Sequence, residues 1–233
     1  MTPILEISGL TKSFGKVRAL DGLDLTLETG SIHGFVGPNG AGKTTMLSIL
    51  AGLKHKTSGE IRIGVPSNRM MLMPDTPDFF PLLTAREMVD LARYPFRNTV
   101  SENSIEAVIE QVGLSDSIDR RVGGFSRGMK QRLGLATTLI ADPQLLLLDE
   151  PCSALDPLGR REIMDVISGL KSKATVLFST HLLGDVEAVC DSVTVVDRGK
   201  ALYGGSVNGI RKSKKQSFED AVLKLLQPGS IKE

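Results

Sequence analysis

The first third of the chain carries short apolar runs at strand period. Leu23-Asp24-Leu25-Thr26-Leu27-Glu28 alternates apolar and polar positions, the period of a half-buried antiparallel strand. Ile32 to Val36 is a short strand run that feeds a glycine-rich turn, and Thr44 to Ala51 follows with helical spacing and Gly52 as its stop. Ile61 to Ile63 and Met70 to Met73 are further short strands. From about Leu83 to Ile140 the pattern turns helical. Thr84 and Glu87 have the spacing of a capping box. Asn103 or Ser104 opens a second helix that stops at Gly113, and a long helix runs from Arg127 to Ile140, ahead of Pro143.

The last part alternates again. It reads as strand Leu145 to Leu148, helix Leu158 to Leu170, strand Thr175 to Phe178, helix Leu183 to Val189 and strand Ser192 to Val196. Four consecutive leucines from Leu145 suit a parallel strand covered on both faces. Ser206 to Lys215 reads as an exposed basic link to a last helix, Phe218 to Leu226. Strands alternating with helices predict an α/β core with a mainly parallel sheet, an antiparallel β region at the N-terminus and a helical insertion.

Three segments carry chemistry. Gly37-Pro38-Asn39-Gly40-Ala41-Gly42-Lys43-Thr44 matches G-x-x-x-x-G-K-[ST], the phosphate-binding loop. Its glycines let successive N–H groups point at phosphate oxygens, and the helix that follows offers its positive end. Lys43 is placed to reach the β- and γ-phosphates and the Thr44 hydroxyl to ligate Mg²⁺, with Thr45 next to it in the nucleotide site. Leu145 to Leu148 ends in Asp149 and Glu150, at the strand end where α/β sheets bind ligands. Asp149 suits a magnesium ligand, and Glu150, one residue on, suits a base that polarises the attacking water. Gly123-Gly124-Phe125-Ser126-Arg127-Gly128 sets a Ser hydroxyl and a Gly N–H at the start of the long helix, a second anion-binding helix end. One nucleotide does not need two such ends in one chain, so the second is expected to serve a nucleotide held by another copy.

Composition narrows the picture. Hydrophobic residues make up 41% and charged residues 24% of 233, as in ordinary globular domains. Lys plus Arg, 28, nearly balance Asp plus Glu, 27, which gives no reason to expect a nucleic-acid partner. Cys152 and Cys190 fit no metal or disulfide spacing and read as reduced thiols. No apolar run reaches a membrane span, and the first residues lack the regions of a signal peptide, so a membrane role requires a partner that supplies the spans.

With these motifs in order over roughly residues 4 to 205, the chain resembles the ATP-binding subunit of an ATP-binding cassette (ABC) transporter. The resemblance implies a domain at 1–212 with a helical subdomain at about 75–140, and a C-terminal helical tail at 213–233. It implies ATP and Mg²⁺ as cofactors, separate transmembrane permease subunits and a second ATP-binding subunit as partners, and a place at the cytoplasmic face of the membrane. By position, Phe14 matches the residue that stacks on adenine, Ser126 and Gly128 the signature that contacts the partner's γ-phosphate, and Ser153-Ala154-Leu155-Asp156 the loop that crosses between sites. His181 matches the switch histidine, while His33 and His55 match no motif and read as structural or surface residues.

The chain departs from the family pattern in three ways. The signature, usually Ser-Gly-Gly-Gln, is Ser126-Arg127-Gly128-Met129. Asp75 stands where the family has the Gln that links magnesium to the membrane partner. The stretch from Gly59 to Asp75 is shorter than usual. The first two departures resemble the exporter branch that handles drugs, antibiotics and polysaccharides. A soluble ABC-type ATPase, for example of iron–sulfur assembly, is the alternative reading.

Overall fold

The computed structural model of the chain describes residues 3–153, 155–213 and 216–227. Ala154 of the crossing loop, Lys215 at the end of the basic link and the last residues of the tail lie outside them. Two sheets form the frame. A three-stranded antiparallel sheet, in the order β2-β1-β4, joins β1 (Pro3–Phe14), β2 (Val17–Glu28) and β4 (Ser58–Ile63). A six-stranded sheet runs β5-β6-β7-β3-β8-β9. Its members are β3 (Ile32–Val36), β5 (Met70–Met73), β6 (Leu145–Asp149), β7 (Thr175–Thr180), β8 (Ser192–Asp197) and β9 (Lys200–Ser206). All its pairings are parallel except β8 with β9.

The leucine run of β6 shows why this sheet is central. Successive side chains of a strand point to opposite faces. Leu145 and Leu147 join Phe35, Met46, Leu47 and the inner residues of the antiparallel sheet in one core. Leu146 and Leu148 join Val36, Phe178, Val193 and Val195 in the other, beneath the helices. The helix that follows β3, α1 (Lys43–Leu50), buries Met46, Leu47 and Leu50 in the first core.

Between β5 and β6 lie three helices: α2 (Ala85–Arg93), α3 (Ser104–Gln111) and α4 (Arg127–Leu139). Thr84 caps α2 through the expected box: its hydroxyl accepts from the Glu87 N–H at 3.2 Å, and the Thr84 N–H donates to Glu87 Oε2 at 2.7 Å. Gly113, at φ 69°, follows α3 in the left-handed region that ends a helix. Three helices follow β6: α5 (Pro157–Ser168), α6 (Leu183–Val189) and α7 (Phe218–Leu226).

The basic link differs from the expectation of an exposed segment. Ser206 ends the edge strand β9, and Val207 and Ile210 are buried in the helical-side core with Phe218. Two apolar anchors therefore hold the stretch down, and Arg211 beside them pairs with Glu187.

Candidate functional site

The phosphate loop leaves the C-terminal end of β3, a middle strand flanked by β7 and β8. Gly37 is fixed there by close approach, since a Cβ on it would lie 2.1 Å from the Val196 carbonyl oxygen. Gly42, at φ 104°, could carry no side chain without strain, and a Cβ there would meet the Ala19 carbonyl oxygen at 2.5 Å. The loop is thus pressed between β8 and β2. Lys43 folds back over it, and its Nζ donates to the carbonyl oxygens of Gly37 at 2.8 Å and Pro38 at 3.3 Å.

The parallel register brings the acids alongside. Met73 pairs with Leu148 near the ends of these strands, and Asp75 and Glu150, two residues beyond each, line one cleft. A cleft of about 250 Å³ is lined by Asn39, Gly40, Lys43, Thr44, Thr45, Asp75 and Glu150, with Ala19 from β2. Glu150 Oε1 lies 3.3 Å from Lys43 Nζ, and His181 Nδ1 lies 2.9 Å from Glu150 Oε2. A chain of three polar groups thus leads out from the cleft: ammonium, carboxylate, imidazole. Asp149 is buried at the end of β6, its Oδ1 accepting from Ser179 Oγ at 2.5 Å.

Glu150 is one of four described non-glycine residues with positive φ, at 48°. That region costs an L-residue about 1 kcal/mol or more and needs outside support. The support is visible. Its N–H lies 3.1 Å from both the carbonyl oxygen and Oγ of Ser179, and its carbonyl oxygen accepts from Gln131 Nε2 at 3.3 Å and the Ser153 N–H at 3.1 Å. Ser179 and Gln131 were not singled out in the sequence. Gln131 did leave a signal: it occupies the inner face of α4, one turn before Leu135 and two before Leu139. Ser179 left none beyond a hydroxyl at the end of an apolar strand.

The other candidates lie elsewhere. Phe14 ends β1 at the hairpin with β2, 46% exposed, with Lys12 Nζ 4.8 Å and Lys54 Nζ 5.9 Å from its ring centre. It does not line the Lys43 cleft, to which its hairpin contributes Ala19. Ser126 caps α4 by accepting from the Met129 N–H at 3.2 Å. Ser126 and Gly128 line a separate groove of about 630 Å³ with Arg127, Leu155, Asp156 and Glu162, sharing no residue with the Lys43 cleft. The remaining titratable candidates are structural. His33 is buried between Ser192 Oγ at 2.7 Å and Thr194 Oγ1 at 2.9 Å, and burial lowers its pKa to about 3. Burial pushes the Cys152 thiol up to about 12 and raises that of Cys190 as well, so both stay protonated and unreactive.

A phosphate-loop motif at the C-terminal end of a parallel strand, with a lysine and a carboxylate facing one cleft, marks a nucleotide-binding class of protein. The family model described as ABC transporter matches residues 20–153. The chain is 36% identical over 236 residues to the uncharacterized ABC transporter ATP-binding protein YxlF of Bacillus subtilis (strain 168), covering 99% of this chain and 80% of that protein. It is also 36% identical over 230 residues to the bacitracin transport ATP-binding protein BcrA of Bacillus licheniformis, covering 94% and 75%. A solved ATP-binding subunit of an ABC transporter superposes with a TM-score of 0.87 at 26% identity, over 96% of this chain and all of that one. The chain belongs to the ABC transporter family. It is an ATP-binding subunit that binds ATP and hydrolyses it to power transport.

Proposed function

We propose that two ATP-binding subunits close head to tail around two Mg-ATP molecules, each held between the Lys43 loop of one and the Ser126 helix of the other. The observation that carries this reading is the separation of the two anion-binding elements. Lys43, Thr44 and Glu150 share one cleft, while Ser126 and Gly128 line another groove. Within the site, backbone N–H groups from Asn39 to Thr45, with Lys43, bind the phosphates. Glu150 orients and deprotonates the attacking water. His181, anchored on Glu150, stabilises the developing charge. Phe14 supplies a face for adenine.

The residues fit magnesium. Thr44 and Asp75, which line the cleft, and Asp149, buried next to Glu150, offer hard oxygen donors. Among the described residues no cluster of three or more His, Cys, Asp or Glu could hold a metal alone, so the nucleotide's oxygens complete the set. When bound, magnesium neutralises charge on the β- and γ-phosphates.

The stretch at about 75–140 carries motion to membrane partners. It presents Phe80, Leu82, Leu91 and Tyr94, which are 62%, 74%, 49% and 58% exposed, an apolar set suited to protein contact. No helix among the described residues is long and apolar enough to cross a membrane, so separate permease subunits supply the spans. The Ser-Arg-Gly-Met signature, Pro74-Asp75 and the similarity to a bacitracin transport protein support an exporter acting at the cytoplasmic face. The test is the dependence of specific ATPase activity on protein concentration. Activity that rises with concentration as monomers pair is expected. A specific activity that stays constant across the monomeric range would refute the shared site.

A further inference from the structure

We propose that Ser153 is a positioning residue that holds the Asp75 carboxylate away from the phosphates until a divalent cation draws it in. The inference rests on the reading above, in which Asp75 approaches the metal. It begins with one contact: Ser153 Oγ donates to Asp75 Oδ1 at 2.7 Å. Both residues are only partly exposed, and Asp75 lines the same cleft as Lys43 and Thr44.

A carboxylate at that place faces a conflict. Beside the γ-phosphate without metal it is repelled, and beside a divalent cation it is attracted. A hydroxyl donor settles the first case by giving the carboxylate another partner. The flanking chain keeps the choice narrow. Asp75 follows Pro74, whose φ is fixed, and Pro77 is buried against α4, where a Cβ on Gly134 would meet Pro77 Cγ at 2.6 Å. With Pro77 anchored two residues on, movement of the Asp75 side chain is the smaller change.

Ser153 is also well placed to report the change. Its own N–H donates to the Glu150 carbonyl oxygen at 3.1 Å, so its hydroxyl and its amide tie Asp75 to the base. Three residues on, Asp156 Oδ1 caps α5 by accepting from the Gly159 N–H at 2.8 Å. Cation binding that draws Asp75 off Ser153 therefore removes one of these two bonds of Ser153 and leaves its amide on the Glu150 carbonyl oxygen.

The experiment measures the affinity of a non-hydrolysable ATP analogue with Mg²⁺ and with chelator, and takes the ratio of the dissociation constant in chelator to that in Mg²⁺. Ser153→Ala releases the carboxylate in both states. It should weaken binding in chelator, strengthen it in Mg²⁺ and raise the ratio about tenfold or more, the scale of one hydrogen bond to a charged group. Ser153→Thr, which keeps the donor, should restore the wild-type ratio. Asp75→Asn should lower the ratio and make Ser153→Ala silent in that background. If Asp75→Asn lowers the ratio while Ser153→Ala leaves it unchanged, Ser153 has no holding role although Asp75 does meet the metal. If neither variant moves it, the metal-linked reading of Asp75 fails first. A merely structural Ser153 would change the melting temperature and not the ratio. If Ser153→Ala does not fold, Asp75→Asn and Ser153→Thr still decide: a raised ratio in Ser153→Thr overturns the proposal.

Discussion

Glu150→Gln tests the cleft at its centre. Lys43 Nζ and Glu150 Oε1 stand 3.3 Å apart with side chains only 6% and 12% exposed. At an effective dielectric of about 20 their attraction is about 5 kcal/mol before the cost of desolvating both ions, which offsets most of it. A net of about 1 kcal/mol is a reasonable remainder for such a pair. Nucleotide must break this pair and set its phosphates beside a carboxylate. The amide removes both obstacles while keeping the shape of the side chain. ATP affinity should therefore rise about three- to tenfold. Hydrolysis should fall at least about a hundredfold, because the amide cannot accept the proton of the attacking water. Titration with a fluorescent ATP analogue gives the affinity, and phosphate release in a single turnover gives the rate. Size-exclusion chromatography with and without Mg-ATP should show an ATP-stabilised dimer in this variant. Hydrolysis within tenfold of the wild type would remove Glu150 from the role of base. Unchanged or weaker affinity would show that its pairing with Lys43 does not compete with nucleotide.

Two further predictions concern the frame. His33 has its pKa lowered by burial to about 3, well below the usual 6.5, so the folded state keeps it neutral while the unfolded chain binds a proton below 6.5. Its contribution is complete above pH 6.5 and is lost as pH falls from there toward 3, about 2 kcal/mol by pH 5. Urea unfolding at pH 7 and pH 5 should show that loss in the wild type and much less of it in His33→Gln, and equal losses would refute the assignment. Gly37→Ala would put a methyl group 2.1 Å from the Val196 carbonyl oxygen, so the loop must shift. ATP affinity should drop more than about tenfold or the melting temperature should fall by several degrees, and a variant normal in both would show that the loop is not held against β8.

Local signals were legible wherever their cause was local. The Thr84–Glu87 box formed as read because both partners lie within one turn. The leucines of β6 were readable as buried on both faces because nothing polar interrupts them. The phosphate-loop motif stood out because its residues keep a fixed spacing, and the Asp149-Glu150 pair because it follows an apolar strand. What escaped depended on distant neighbours. Strand β9 is an edge strand with two glycines and a half-exposed pattern, and only its antiparallel pairing with β8 makes it a strand. Val207 and Ile210 sit among polar residues and glycines ahead of a basic run, and their burial depends on the helical-side core they join. Ser179 touches Asp149 and Glu150 across thirty and twenty-nine residues, a relation that no window of sequence contains.

Helix α4 has thirteen residues, about 20 Å of continuous rod. Ser126 caps one end, and Gln131, less than two turns along, holds the carbonyl oxygen of Glu150. In the paired arrangement, the end offered to the neighbour's phosphate and the support of a subunit's own base belong to one rigid body. Two copies then form a closed circuit, with each nucleotide pulling on the helix that supports the other site's base. Linkage requires that influence to be mutual at the level of binding. The two sites of a pair should thus fill cooperatively, with a Hill coefficient above one for ATP, and Gln131→Ala should uncouple them before it unfolds them.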